Sequence, residues 1–301
     1  MDMFMKRIKL ALAISVLMIS NIALADLNNG LVGYYKFDGN AKDSSGNKHD
    51  FVEHGGVSYT NGINNQSISF DGLNGYVDSD SVPVTSTLTI SYWINYQSFG
   101  EWSRMLGLSL PDGNFQILTK GWDGPADQLV VENYNCWPCD AWSSKKVITP
   151  SILKLNAFDF YTITYNNGTV VIYKNGSKVA ATYDYNGKKN TLINKVTTSS
   201  AKLVLAYPFN TNSNTYFKGQ IDDLRIYNRV LSTTEISSLY DVSINGTVKN
   251  LASNTVSCKN NTTGQVVNLP STTATTYNCE SSGLSINTGE NVTITINGNS
   301  K

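Results

Sequence analysis

Charge is scarce in this chain. Asp, Glu, Lys and Arg make up 15% of its 301 residues, against roughly 25% in an average soluble protein. The 23 basic side chains are balanced by 23 acidic ones. With no cationic excess to displace counterions from phosphates, a nucleic-acid-binding role is excluded. Ala, Leu, Glu and Lys are too sparse for a helical bundle. Beyond the N-terminal segment, no stretch is long and apolar enough to span a bilayer. The two His residues, in Lys48-His49-Asp50 and Glu53-His54-Gly55, have no nucleophile motif near them, no G-x-S-x-G occurs, and both read as surface-loop residues. The 41% apolar and 11% aromatic content excludes intrinsic disorder. What remains is a β-rich, neutral chain with a polar surface, forming one large domain or two smaller ones.

Residues Met1–Ala25 have the order of a secretory signal peptide. Lys6, Arg7 and Lys9 precede an apolar run from Leu10 to Met18, and Ala23-Leu24-Ala25 offers the cleavage site. The run is short for a membrane span and is followed by polar Ser20 and Asn21. Cleavage would remove three basic residues and one acidic one, leaving a mature chain of net charge −2. The expected location is secreted or cell-surface, with the periplasm as a further possibility.

Turns punctuate the rest. Asn61-Gly62, Asn74-Gly75, Asn167-Gly168, Asn175-Gly176 and Asn186-Gly187 carry the Asn-Gly signature of tight hairpins, because both residues tolerate positive φ. Between them lie alternating, β-branched and aromatic runs: Thr87–Tyr96, Phe160–Tyr165, Val170–Tyr173 and Lys202–Ala206. Short strands at regular spacing predict an antiparallel sandwich or barrel. One helix is legible, at Ser232–Tyr240, where Ser232 and Glu235 form a capping box and Ile236, Leu239 and Tyr240 share a face. Trp93, inside the strand Thr87–Tyr96, is expected in the sandwich core. From Val242 to Lys301 the chain turns rich in Asn and Thr and has no Trp or Phe. That stretch reads as a separate small β-module.

Trp102, Trp122, Trp137 and Trp142 fall within one stretch whose surroundings look loop-like. Indoles on loops beside Asp123 and other polar residues suit sugar binding, the ring stacking on a pyranose while amides and carboxylates take its hydroxyls. The other reading is that some of them plug a small core beneath a long insertion. Cys136-Trp137-Pro138-Cys139 could be a redox pair, a zinc half-site or a local disulfide. Export favours disulfides, and pairing Cys136 with Cys139 and Cys258 with Cys279 keeps each bridge within one proposed domain.

Leu31–Asn47 (LVGYYKFDGNAKDSSGN), Ser67–Val77 (SISFDGLNGYV), Leu88–Ile94 (LTISYWI) and Phe217–Tyr240 (FKGQIDDLRIYNRVLSTTEISSLY) come in this order. Together they resemble a laminin-G-like domain of the concanavalin A-like lectin/glucanase superfamily, over about residues 27–240. The resemblance implies an all-β fold, an antiparallel two-sheet jelly-roll sandwich over residues 26–241, followed by the module at 242–301. It also implies a glycan or protein ligand. A structural Ca2+ ion is expected between Asp38, Asn40 and Asp43 of the opening loop and Asp222 and Asp223 of the closing strand. Alternation would put the last two on opposite faces, one toward the metal and one toward solvent. Laminarinase-type relatives carry an E-x-D-x-E run, and this chain has none. Only Glu101 and Glu132 are left as an acid pair, so catalysis is not expected. The sequence thus reads as a secreted, non-catalytic carbohydrate-binding or adhesive module stabilised by calcium. A protein-interaction surface domain is the alternative, and a glycoside hydrolase ranks third.

Overall fold

The computed structural model describes residues 27–241 except 64, 101, 111–112, 120–123, 135–144, 186–187, 190–199 and 208–215. Further along it describes 245–247, 254–260, 265–269, 276–278 and 292–298. The first strands are β1 (Leu31–Tyr35), β2 (Val52–His54), β3 (Val57–Asn61), β4 (Gln66–Asp71), β5 (Tyr76–Asp78) and β6 (Thr87–Tyr96). A run of antiparallel neighbours follows: β7 (Arg104–Leu110), β8 (Gly113–Thr119), β9 (Gln128–Tyr134) and β10 (Lys145–Ser151). Next come β11 (Phe158–Asn166), β12 (Thr169–Lys174), β13 (Ser177–Lys178), β14 (Thr182–Tyr185), β15 (Lys188–Lys189), β16 (Lys202–Leu205) and β17 (Lys218–Tyr227). The helix α1 (Thr233–Asp241) closes this part.

These strands make two antiparallel sheets. One has eight strands in the order β13-β12-β11-β6-β17-β4-β3, with β1 also on β17. The other has nine, in the order β15-β14-β10-β9-β8-β7-β16-β5-β2. Alternation explains the layering. Leu88, Ile90, Tyr92, Ile94 and Tyr96 of β6 share one buried cluster with Leu106, Ile117, Val131 and Val147 of the second sheet, so the main core lies between the sheets. The expected two-sheet sandwich is the observed one.

Local chemistry set several elements as expected. Asn167 and Gly168 have φ of 48° and 95° and join β11 to β12 in two residues; Asn175 and Gly176, at 50° and 75°, do the same for β12 and β13. Ser232 N donates to Glu235 Oε2 at 2.7 Å and Glu235 N to Ser232 Oγ at 3.3 Å, the two halves of the capping box.

Three expectations are corrected. Asn74-Gly75 is no hairpin: it links β4 of one sheet to β5 of the other, because Asp71 Oδ1 gathers the N–H groups of Leu73, Asn74 and Gly75 and turns the chain over. Trp93 is buried, but outside the sandwich core. It packs with Phe160, Tyr227, Leu231, Ile236 and Leu239 between the outward face of the eight-stranded sheet and α1. The stretch read as a loop-like insertion contributes β7 to β10, the middle of the nine-stranded sheet.

After α1, β18 (Asn245–Thr247) pairs with β21 (Thr276–Asn278), and β19 (Asn254–Asn260) pairs with β20 (Val266–Leu269) and β22 (Val292–Gly298). Among the described residues these five strands pair only with one another. Met1–Ala25 lies outside the described residues, and no described helix is long and apolar enough to cross a membrane.

Candidate functional site

The inward register of the nine-stranded sheet dictates what stands on its outward face. Leu106, Ile117, Val131 and Val147 oppose one another across β7 to β10 and enter the core. Their chain neighbours Gly107, Gln116, Leu118, Val130, Glu132, Lys146 and Ile148 therefore point away from it, while Met105, at the register shift between Arg104 and Leu106, stays in the core. Gly107, Gln116, Glu132 and Lys146 form one outward row, continued through Val204 and Asp78 onto β16 and β5. Leu118, Val130 and Ile148 form the next row, with Arg104 beside Leu118.

Polar groups on an outward sheet face are ordinarily solvated. Here Arg104, Gln116 and Glu132 are only 8%, 4% and 6% exposed. Gln116 Nε2 donates to Glu132 Oε2 at 3.2 Å. Glu132 can only accept when ionised, which fixes the orientation of the Gln116 amide. Arg104 lies over Gly107: a Cβ there would come within 3.1 Å of Arg104 Cδ. Glycine makes the notch that the arginine fills. Burial pulls the Arg104 guanidinium down to about 10, and the Glu132 carboxylate acts against that fall.

Aromatic rings flank this polar set. Trp102, at φ 52°, packs against Leu118, Val130 and Ile148, with Lys146 Nζ 4.4 Å from its ring centroid. On the other side His54 stacks on Tyr76 at 4.3 Å, Tyr207 meets Tyr76 edge-on at 4.7 Å, and Tyr216 meets Tyr207 at 6.3 Å. All five rings are half-buried. Asp78 receives Lys202 Nζ at 2.6 Å and His54 Nε2 at 3.0 Å. Desolvation opposes ionisation of Asp78, but the Lys202 and His54 contacts outweigh it and hold its carboxyl below the ordinary value.

Of the indoles expected at a sugar site, the structure places Trp102 on this face. Trp122, Asp123, Trp137 and Trp142 lie outside the described residues. Glu101 is outside the described residues too, so its pairing with Glu132 has no geometry. Cys136, Cys139 and Cys279 also lie outside them; Cys258 stands on β19 opposite Val267 and Ile294. His54, expected in a loop, is in β2 and belongs to the aromatic group; His49 is in a loop as expected. The sequence reading missed Arg104, Gln116, Tyr76 and Lys202. The alternation in NFQILT was the signal that could have found Gln116; Arg104 has the parity of core Leu106 and Leu108, and a register shift between Arg104 and Leu106 turns it outward.

The five residues expected to hold calcium are divided between the turns after β1 and the bulged strand β17. Asp43 Oδ1 accepts from Tyr34 N (3.0 Å) and Ser45 N (2.8 Å), and Oδ2 from His49 N (3.1 Å). Asn40 Oδ1 accepts from Lys42 N at 3.0 Å. Asp38 Oδ1 takes Gln66 N at 3.1 Å and Asp222 Oδ2 takes Ile63 N at 2.7 Å, so these two grip the β3–β4 loop. Asp223 is the extra residue of a bulge in β17, at φ 48°, where it accepts from Tyr34 Oη at 2.6 Å and faces Arg225 at 3.5 Å. Both Asp222 and Asp223 are buried, because the bulge breaks the alternation that would have sent one to solvent. Backbone N–H groups engage the carboxylates of Asp38, Asp43 and Asp222, Tyr34 Oη and Arg225 engage that of Asp223, and among the described residues no three His, Cys, Asp or Glu side chains are placed to hold a metal ion. As a set, the five do not fit a calcium ion.

A profile described as the concanavalin A-like lectin/glucanases superfamily, of laminin G type, matches residues 70–237. This is more than half of the chain, and the chain belongs to that superfamily. Among solved structures it is similar to domain 4 of AbnA, a GH43 extracellular arabinanase from Geobacillus stearothermophilus, in complex with arabinotriose. The identity is 18% and the TM-score 0.56, over 70% of this chain and 98% of that one. It is also similar to the binding domain of Paraclostridial Mosquitocidal Protein 1, with 17% identity and TM-score 0.53 over 80% of this chain and 63% of that chain. The Botulinum Neurotoxin Type G receptor-binding domain gives 17% and 0.54, over 83% and 65%. The match thus spans less than two thirds of either toxin domain, and these likenesses concern the fold. No curated protein matches the chain by sequence.

Proposed function

We propose that the protein is a non-catalytic carbohydrate-binding module whose site is the outward face of the nine-stranded sheet. The observation that carries this reading is the buried set Arg104, Gln116 and Glu132 between two groups of half-buried aromatic rings. Rings that offer apolar faces beside fixed amide and charged groups match the two-sided chemistry of a sugar. The arabinotriose held by the arabinanase domain supports the same class of ligand. Catalysis has no part in the reading, since Glu132 is engaged by an amide and faces a guanidinium. Calcium has none either.

The test is a glycan array on the intact secreted chain, repeated on Glu132→Gln and Trp102→Ala. Glycan signal lost in both variants, with melting unchanged, supports the site. No signal on any glycan, with an intact fold, would favour a protein partner instead. Release of product from any polysaccharide, abolished by Glu132→Gln, would make it a hydrolase.

We infer that Met1–Ala25 is a cleaved leader and that residues 242–301 form a separate module. N-terminal sequencing of exported protein should begin at Asp26. Peptide mapping without reductant should recover Cys136–Cys139 and Cys258–Cys279.

A further inference from the structure

Two features of the outward face limit what can lie on it. The first is distance. In the sheet order β9-β8-β7-β16-β5, the strand bearing Tyr76 and the centre of the patch under Trp102 are separated by four strand spacings, or about 19 Å. One ring of a linear glycan advances about as far as one such spacing. The second is charge. Each Lys and Arg named on this face stands beside an acid: Lys202 pairs with Asp78, Arg104 stands by Glu132, and Lys146 lies in register with Glu132. An acidic sugar would have to compete with a carboxylate already in place, at close range and partly out of water.

We propose that this face takes a linear, uncharged glycan of about four rings, running across the strands from the His54–Tyr76 stack to Trp102. The inference rests on the carbohydrate-binding reading above and names its ligand class. Arg104, Gln116 and Glu132 then lie under the middle of the chain. A short sugar reaches one aromatic group and a longer one reaches both, so affinity depends on length.

The experiment is titration calorimetry of the intact chain with neutral arabino-, xylo- and cello-oligosaccharides of one to six residues. Oligogalacturonides of the same lengths and sialyllactose serve as acidic probes. At least one neutral series should tighten roughly tenfold or more between disaccharide and tetrasaccharide and then level off, since a second stacking contact is worth about that factor. Acidic probes should bind more weakly than the neutral series. Trp102→Ala and Tyr76→Ala should each flatten the length dependence, and Trp102→Phe should largely restore it; a merely structural Trp would not alter the slope. Equal affinity for mono- and tetrasaccharide, or a preference for acidic probes, overturns this proposal and leaves the carbohydrate-binding reading standing. Binding of no glycan in either set overturns both.

Discussion

The two sheets of this sandwich share a core but present opposite outer faces. The eight-stranded sheet carries Trp93, Phe160 and Tyr227 outward, and Ile236 and Leu239 of α1, with Leu231 just before it, cover them. The nine-stranded sheet carries Arg104, Gln116, Glu132 and Lys146 outward, with aromatic rings left half-buried at either side. An apolar outward face has to be covered to be stable, and here a short capped helix covers it. The polar outward face has no such apolar cover; its central groups Arg104, Gln116 and Glu132 are buried nonetheless, and in the reading proposed above they serve recognition. The difference teaches that aromatic residues in this chain have two uses, and that only their surroundings separate them.

The largest expected effect breaks the covered face. Trp93→Ala empties the space beside Phe160 and Tyr240, whose ring centroids lie 5.2 and 5.6 Å from that of the indole. Denaturant unfolding should show a loss of about 3–5 kcal/mol, with glycan affinity unchanged at temperatures where the chain is folded. A parallel loss of affinity would erase the distinction between the faces.

Next comes the device that holds the cover. Glu235 caps α1 and is bound in two places by Arg229, at 2.6 and 3.0 Å. Glu235→Ala should cost about 1–2 kcal/mol. The Arg229 contacts, with smaller help from Ser232, hold the Glu235 carboxyl down to about 2. Its folded value lies below its unfolded one, so this contribution is complete above the ordinary glutamate range. It is lost as pH falls through about 2. Melting curves of the parent and Glu235→Ala should therefore converge in strong acid; a gap that persists there would contradict the assignment.

The open face is expected to behave in reverse. Tyr76→Ala or Trp102→Ala should lower glycan affinity roughly tenfold while shifting Tm less than Trp93→Ala does. Calorimetry and melting on the same samples separate the two. The smallest expected effect is that of a chelator. The carboxylates of Asp38, Asp43 and Asp222 already accept backbone N–H groups, so EDTA should move Tm by less than about 2 °C, under about 1 kcal/mol for a domain of this size. A larger drop would restore calcium to the opening loop and closing strand.

Much of the scaffold was readable because short-range chemistry sets it. Thr87–Tyr96 alternates and is β6 to the residue, and the Asn167 and Asn175 turns require only the local positive φ that Asn and Gly tolerate. The same logic failed at Asn74-Gly75, where the decision between hairpin and crossover belongs to which sheet the next strand joins. It failed at Asp222-Asp223, where a bulge redirects side chains that strict alternation would have placed. The site was the least legible part. Arg104 reads as an ordinary strand-edge cation until Gly107, three residues on, proves to be the notch it fills. Tyr76 and Trp102 come to one face only because β16, a strand distant in sequence, inserts between β5 and β7.

By itself, then, the sequence determined the class: an all-β sandwich, its turns and its one capped helix, since each depends on neighbours a few residues away. Tertiary structure alone decided which aromatic and charged residues are scaffold and which are available to a ligand. That choice depends on strand order across the sheets, which brings together residues far apart in the chain and which no local pattern encodes.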